Sequence, residues 1–237
     1  MPHTYVLIHG SWHDGGAWAQ VIENLNAHGH RAIAPTLAGH GKGTDKSLGH
    51  AACVEAVLSQ IMARDLRDVI LLGHSFGGSV IQRIAECVPD RVAKLIFWNA
   101  FVLQDGERVL DNVPPEMLGW FDMAPDGGLH LPFPRWHAHF INDADEDTAR
   151  EVHTQLSSEP PRCFMDEVPL KSFAALDIPK AVIDCLDDVC LPREGEWTWR
   201  NMAARLGAHK RVEMPGSHEA LFTRPALLAE KILEAAA

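Results

Sequence analysis

Val69-Ile70-Leu71-Leu72-Gly73-His74-Ser75-Phe76-Gly77-Gly78 is the stretch on which the reading of this chain turns. An apolar run leads straight into Gly-His-Ser-Phe-Gly, and a segment able to form a helix follows, from Gly78 to Val88. Strand, G-x-S-x-G, helix is the order of a nucleophile elbow, in which the serine sits at the tip of a very sharp turn. Glycines two residues to either side remove the Cβ atoms that would collide there. The five-residue pattern is short, and the elements flanking it give it meaning. Ser75 is therefore the candidate attacking group.

Outward from the elbow, apolar strands alternate with helical segments. Tyr5–Ile8, Arg31–Pro35, Val69–Leu72, Lys94–Trp98, Lys180–Asp184 and Lys210–Met214 read as strands. Ala17–His28, His50–Arg64, Gly195–Leu206 and Ala220–Ala235 read as helices, with apolar residues at helical spacing in the first two. This alternation predicts an α/β protein: a mostly parallel sheet of about six strands with helices on both faces. It stops between about residues 101 and 175, where proline and aromatic residues concentrate around one acidic-start helix, Ala144–Leu156. That aromatic content disfavours a disordered linker and predicts a cap inserted over the sheet, within a single domain spanning 1–237. The Gly39–Thr44 stretch fails the phosphate-loop pattern, because Gly43 follows Lys42, and reads as a strand-to-helix loop.

Composition narrows the classes. A chain of 237 residues with 46% apolar and 22% charged residues suits one soluble domain. A formal charge of −11 disfavours nucleic acid and anionic membranes as partners. No apolar run reaches the ~20 residues that span a bilayer, and the N-terminus lacks a signal-like basic region, so the cytoplasm is the expected compartment. Five scattered cysteines argue for reduced thiols rather than a disulfide framework. Cys185 and Cys190 lack zinc-site spacing, and His137-x-His139 lacks a third ligand, so no metal is expected. The acidic run from Asp143 to Asp147 reads as a solvated helix start that complements the helix dipole.

A serine needs a base within hydrogen-bond reach, and that base needs an orienting carboxylate. In elbow folds these follow in the order Ser, Asp or Glu, His, in loops after later strands. His218, in Pro215-Gly216-Ser217-His218 after the last strand, is the candidate base. Asp184, Asp187 and Asp188 compete for the carboxylate; Asp187, at the start of the turn, is chosen, with Asp188 as the fallback. Oxyanion donors are assigned to the backbone N–H groups of Ser11 and Phe76. His9 is assigned to holding the Ser11 loop, and Gly10 allows a close backbone approach there. Gly10, Trp12, His74, Trp120, Phe121 and Trp136 are the expected pocket residues.

Val6-Leu7-Ile8-His9-Gly10-Ser11-Trp12 with Gly16-Ala17-Trp18, Ala27-His28-Gly29-His30-Arg31, the elbow, Leu186-Asp187-Asp188-Val189-Cys190-Leu191-Pro192 and Gly216-Ser217-His218-Glu219 together resemble the α/β-hydrolase superfamily over nearly the whole chain. More narrowly, they look like plant methyl-ester esterases, hydroxynitrile lyases and their bacterial esterase relatives. The resemblance implies that the first aspartate of the acidic stretch, Asp187, is the triad acid. It also implies esterase rather than lyase chemistry. Lyases of the group typically carry threonine at the position of Gly10, glutamate at that of His74 and lysine at that of Glu219. The expected function is serine-dependent hydrolysis of a small apolar or aromatic carboxylic ester, without a cofactor. The alternatives are lyase or cofactor-free oxygenase chemistry on the same fold, or a small-molecule binding protein with vestigial turnover. Assembly is left open, with a homodimer as one option.

Overall fold

The computed structural model describes residues 2–237. Six parallel strands form the main sheet: β1 (Thr4–Ile8), β2 (Arg31–Ile33), β3 (Val69–Ser75), β4 (Val92–Ala100), β7 (Lys180–Cys185) and β8 (Lys210–Met214). They lie in the order β2-β1-β3-β4-β7-β8. β3, whose seven residues are all buried, runs at the centre between β1 and β4, as expected of a strand covered on both faces. One face packs Tyr5, Leu7, Ile70, Leu72, Ile96 and Trp98 beneath α1 (Ala19–Ala27) and α9 (Pro225–Ala236). The other packs Val6, Ile8, Leu71 and Leu95 beneath α2 (His50–Ala63) and α3 (Gly77–Cys87).

Two of the helices expected to flank the sheet differ in extent, and the insertion holds α-helices at Phe133–His139 and Pro161–Met165 beside the one expected at Ala144–Leu156. The segment read as Gly195–Leu206 is helical only over α7 (Trp199–Ala204), where Thr198 caps the start by accepting from the Asn201 N–H. The final helix is divided into α8 (Ala220–Thr223) and α9, with Pro225 opening the second. Proline has no N–H to continue a helix but suits the first turn of a new one.

Between β4 and β7 the chain forms a two-stranded antiparallel ribbon, β5 (Asp122–Met123) with β6 (Leu129–His130), and three short helices. These are α4 (Phe133–His139), α5 (Glu146–His153) and α6 (Pro161–Met165). The ribbon has no counterpart in the sequence analysis, since two-residue strands carry no readable periodicity. Val109, Met117, Leu131, Trp136, Phe140 and Phe173 bury this insertion into the same core as Ile8 and Trp12. Asp145 caps α5 by accepting from the Thr148 N–H at 2.8 Å, and Asp143 accepts from Thr223 and Arg224, so the acidic run organises a helix start. His137 contacts the Ala144 carbonyl and His139 stacks on Trp120. Among the described residues, no helix is long and apolar enough to cross a membrane.

The turn from β3 into α3 dictates local sequence. A Cβ on Gly73 would lie 2.5 Å from the Gly77 carbonyl oxygen; on Gly77, 2.6 Å from that of Ile8; on Gly78, 2.4 Å from that of Phe101. Main-chain oxygens of a strand end, a helix start and the segment that follows β4 cannot retreat that far. Gly78→Ala is therefore expected to cost about 3 kcal/mol of stability by overpacking, read as a lower denaturant midpoint with an unchanged slope. An unchanged midpoint would remove close approach as the reason for this glycine.

Candidate active site

Ser75 closes β3 with φ +51°, a left-handed conformation rare for a residue with a side chain. Its carbonyl accepts from the Phe101 N–H at 3.0 Å. A relay braces the other side of the turn: the His50 ring nitrogen meets the Ser79 hydroxyl at 3.0 Å, and that hydroxyl donates to the Phe76 carbonyl at 2.8 Å. Burial lowers His50 to about 4, so the relay runs through a neutral ring. Trp12 (φ +64°) and Asn99 (φ +37°) carry further positive φ angles around the site, a clustering typical of functional strain.

His218 follows β8, and its ring Nδ1 lies 2.7 Å from an oxygen of Asp188. With the carboxylate as acceptor, Nδ1–H donates and Nε2 keeps its lone pair. The ring is buried, stacked on Trp199 at 5.4 Å between centroids and met edge-on by Phe140. Burial alone would lower its pKa; the Asp188 charge and hydrogen bond, with help from Glu219, raise it above 6.5.

The orienting carboxylate is a correction. Asp187 was expected, but it is exposed, and its side chain accepts from the Gly216 N–H at 2.8 Å, tying together the loops after β7 and β8. The chain turns after Cys185, with the Asp188 N–H reaching back to the Cys185 carbonyl. The turn sends the second aspartate inward. Asp188 collects donors from Asn99, the Cys190 N–H at 2.7 Å, Trp199 Nε1 at 2.9 Å and His218. Asp184, the third contender, pairs with Arg211.

The loops that carry Ser11 and Phe76 approach each other closely. A Cβ on Gly10 would fall 3.0 Å from Ser75 Cβ and 3.0 Å from His74 Nδ1, which measures how closely the two loops approach. Among the described residues, neither the Ser11 nor the Phe76 N–H meets a protein acceptor. His9 holds the loop as expected: Nδ1–H donates to the Gly10 carbonyl at 2.8 Å and Nε2 accepts from the Leu37 N–H at 3.0 Å. Burial and the neighbouring His40 keep the ring neutral.

Sequence reasoning missed what fixes Trp12 and His13. The buried carboxylate of Glu159, from the insertion, accepts from the Trp12 N–H at 2.8 Å and contacts His40 Nε2 at 3.0 Å. Burial alone would lower His40, yet Glu159 raises it to about 10. The Ser157 N–H donates to the Trp12 carbonyl and Trp12 Nε1 to that of Leu129. His13 pairs with Glu219 at 3.0 Å, both buried. Glutamates lying 147 and 206 positions along the chain from the residues they hold give no local signal.

A pocket opens over Ser75, lined by Ser11, Trp12, Phe101, Phe121, Phe140, Phe164, Met117, Leu118 and Leu191, among others. Trp12 and Phe121 thus stand where expected, and four other pocket assignments need correction. Trp120 turns away to stack on His139, and Trp136 is fully buried against Phe140 and His13. His74 lies behind Ser75, stacked on Trp98 at 4.0 Å, and Gly10 backs the same wall. The phenylalanines that line the pocket come from separate segments, so no spacing marked them.

Comparison with known proteins places this geometry. A profile described as the alpha/beta hydrolase family matches residues 5–231. A pyrethroid hydrolase of Sphingobium wenxiniae is 31% identical over 97% of this chain and 86% of its own. Methylesterase 2 of Arabidopsis thaliana is 27% identical over 97% of this chain and 94% of its own. An extracellular α/β-hydrolase from a Paenibacillus species, described as sharing structural and functional homology with tobacco salicylic acid binding protein 2, superposes with a TM-score of 0.94. It is 35% identical, with 99% of each chain covered.

The Asp188 contact has a direct test in the proton resonances of His218. Its pKa should lie above 6.5, fall in Asp188→Asn and hold in Asp187→Asn. Because the native value exceeds the unfolded one, the contact's contribution to stability is complete below pH 6.5 and disappears as pH rises through the native pKa. A drop in the Asp187 variant instead would reverse the assignment.

Proposed function

Because the chain belongs to the alpha/beta hydrolase family, we propose that it hydrolyses carboxylic esters through Ser75, His218 and Asp188. The observation that carries this reading is a serine at a positive-φ turn in the wall of an apolar pocket, with the His218 ring of a buried imidazole–carboxylate pair packed 4.5 Å from the ring of the adjoining His74. Ser75 Oγ attacks the ester carbonyl while His218 Nε2 takes its proton. The Ser11 and Phe76 N–H groups hold the oxyanion, each such donor contributing about 3 kcal/mol at the transition state. His218 passes the proton to the leaving alcohol, water enters, and the same groups run the second half in reverse roles. Asp188 fixes the tautomer and steadies the imidazolium.

The phenylalanine-rich wall favours an uncharged apolar or aromatic acyl group. The names of the relatives, a pyrethroid hydrolase and a methylesterase, support ester hydrolysis as the reaction. Esterase chemistry is favoured over cyanide lyase chemistry by two features. The His74 ring occupies the space a side chain at position 10 would need. Glu219, already paired with His13, adds negative charge beside His218.

Steady-state hydrolysis of nitrophenyl esters of graded acyl length and of aryl methyl esters tests the proposal. Ser75→Ala is expected to lower kcat by about 10⁴-fold or more, and retained activity would exclude the mechanism. The base must be neutral to accept a proton, so kcat/KM should fall on the acid side with an apparent pKa above 6.5. Folded protein that binds aromatic acids tightly but turns over none of these esters would favour a binding role.

A further inference from the structure

A second cluster of reactive side chains lies at the seam between the insertion and the sheet. Cys53 of α2 and Cys163 of α6 face each other with their sulfurs 3.7 Å apart. His40 Nδ1 is 4.0 Å from Cys53 Sγ, and the three donor atoms all lie within 4.8 Å of one another. All three residues are buried. The Ala38 carbonyl oxygen stands 3.3 Å from Cys53 Sγ and 3.1 Å from His40 Nδ1. The far ring nitrogen, Nε2, rests on the Glu159 carboxylate.

We propose that His40, Cys53 and Cys163 form a binding site for one thiophilic d¹⁰ cation of the Zn²⁺ class. Two thiolates around a tetrahedral zinc, each at about 2.3 Å, stand about 3.8 Å apart, and an imidazole nitrogen and a thiolate about 3.6 Å apart. The thiols already have the first separation, at 3.7 Å. His40 Nδ1 stands 4.0 Å from Cys53 Sγ and within 4.8 Å of Cys163 Sγ, so the ring must draw in toward both sulfurs to reach the second. Glu159 supplies what metal-bound histidines usually carry, a carboxylate on the other nitrogen that fixes tautomer and ring direction. Nε2–H stays on Glu159, which leaves Nδ1 to ligate. The Ala38 carbonyl is in place for the fourth position.

Loading displaces the two thiol protons. The dication, two thiolates and a neutral imidazole sum to zero, which leaves the Glu159 carboxylate its negative charge, held by the Trp12 N–H and the His40 Nε2–H. Neither thiol takes part in the proposed ester chemistry. The cysteines are 110 residues apart in the chain, so no ligand spacing announces them. Because the ligands come from both sides of the seam, a bound ion would staple the insertion to the sheet.

The test is titration of reduced, chelator-treated full-length protein with Cd²⁺ and then Zn²⁺. It is followed by the ultraviolet cadmium–thiolate band, native mass spectrometry and melting temperature. One Cd²⁺ per chain, displaced by Zn²⁺ with proton release and a raised melting temperature, is the expected result. Cys53→Ala and Cys163→Ala should each weaken binding at least ~10-fold, and Glu159→Gln about 10-fold, while the two alanine variants keep their ester turnover. Equal binding by the double alanine variant would overturn the site. So would absence of a thiolate band in wild-type protein even after refolding with Cd²⁺, or quantitative conversion of the pair to a disulfide in reductant-free, zinc-containing buffer. None of the results that would overturn the site depends on ester hydrolysis, so the two proposals fail separately.

Discussion

A carboxylate with no access to water needs as many donors as its oxygens can accept, and Asp188 obtains them from four places. Asn99 stands at the end of β4, Cys190 in the turn after β7, Trp199 at the start of α7 and His218 after β8. Burying a charge is tolerable only with such charge-assisted bonds. The need propagates outward. Asn99 is held at φ +37° so that its amide donates to Asp188 while its oxygen accepts from the Cys185 N–H at 2.9 Å. Trp199 both donates to Asp188 and stacks on His218, so one side chain orients both members of the pair. Three adjacent strands and a helix are thus committed to one ion.

The loop after β1 meets a similar requirement by other means. Its residues Ser11 to His13 carry one strained backbone angle and no regular structure. Two buried carboxylates substitute for secondary structure. Glu159 takes the Trp12 N–H from the insertion side, and Glu219 takes His13 from the His218 side. Glu159 is itself balanced by His40, which its charge holds protonated. The loop on which the Ser11 amide sits is thereby tied both to the insertion and to the segment bearing His218. Movement of either would be felt at Ser11, which gives the insertion a part in the geometry of the site beyond covering it.

The sheet was legible because each strand is a short apolar run punctuated by turn residues, and because G-x-S-x-G marks one strand end unambiguously once its flanks are read. Ser75 and His218 were legible from their places after strands. The choice between Asp187 and Asp188 was not, since it depends on which way a turn rotates after Cys185. One residue of phase separates a solvent-facing cap on Gly216 from a buried partner of His218. The phenylalanines of the pocket and the Glu159–His40 pair were hidden for a different reason. The phenylalanines come from separate segments of the insertion brought together by packing, and Glu159 lies 119 positions from His40, so neither leaves a local pattern.

His74 shows how the site keeps its charge where it is needed. Its ring is wedged between Trp98 and His218, with centroids 4.0 and 4.5 Å away. Neither nitrogen finds a partner among the described residues, at a cost of about 1–3 kcal/mol for each buried polar group left unpaired. Burial first, and then the positive charge of a protonated His218, push its pKa well below 6.5. His74 therefore stays neutral at any pH where His218 titrates, and the proton has one place to go. An acidic side chain there would compete for it or add an uncompensated charge beside Ser75. A smaller one would leave a void against Gly10, whose missing side chain is matched to the imidazole. Gly10 and His74 are thus complementary: one makes the space, and the other fills it without taking the proton that His218 must move.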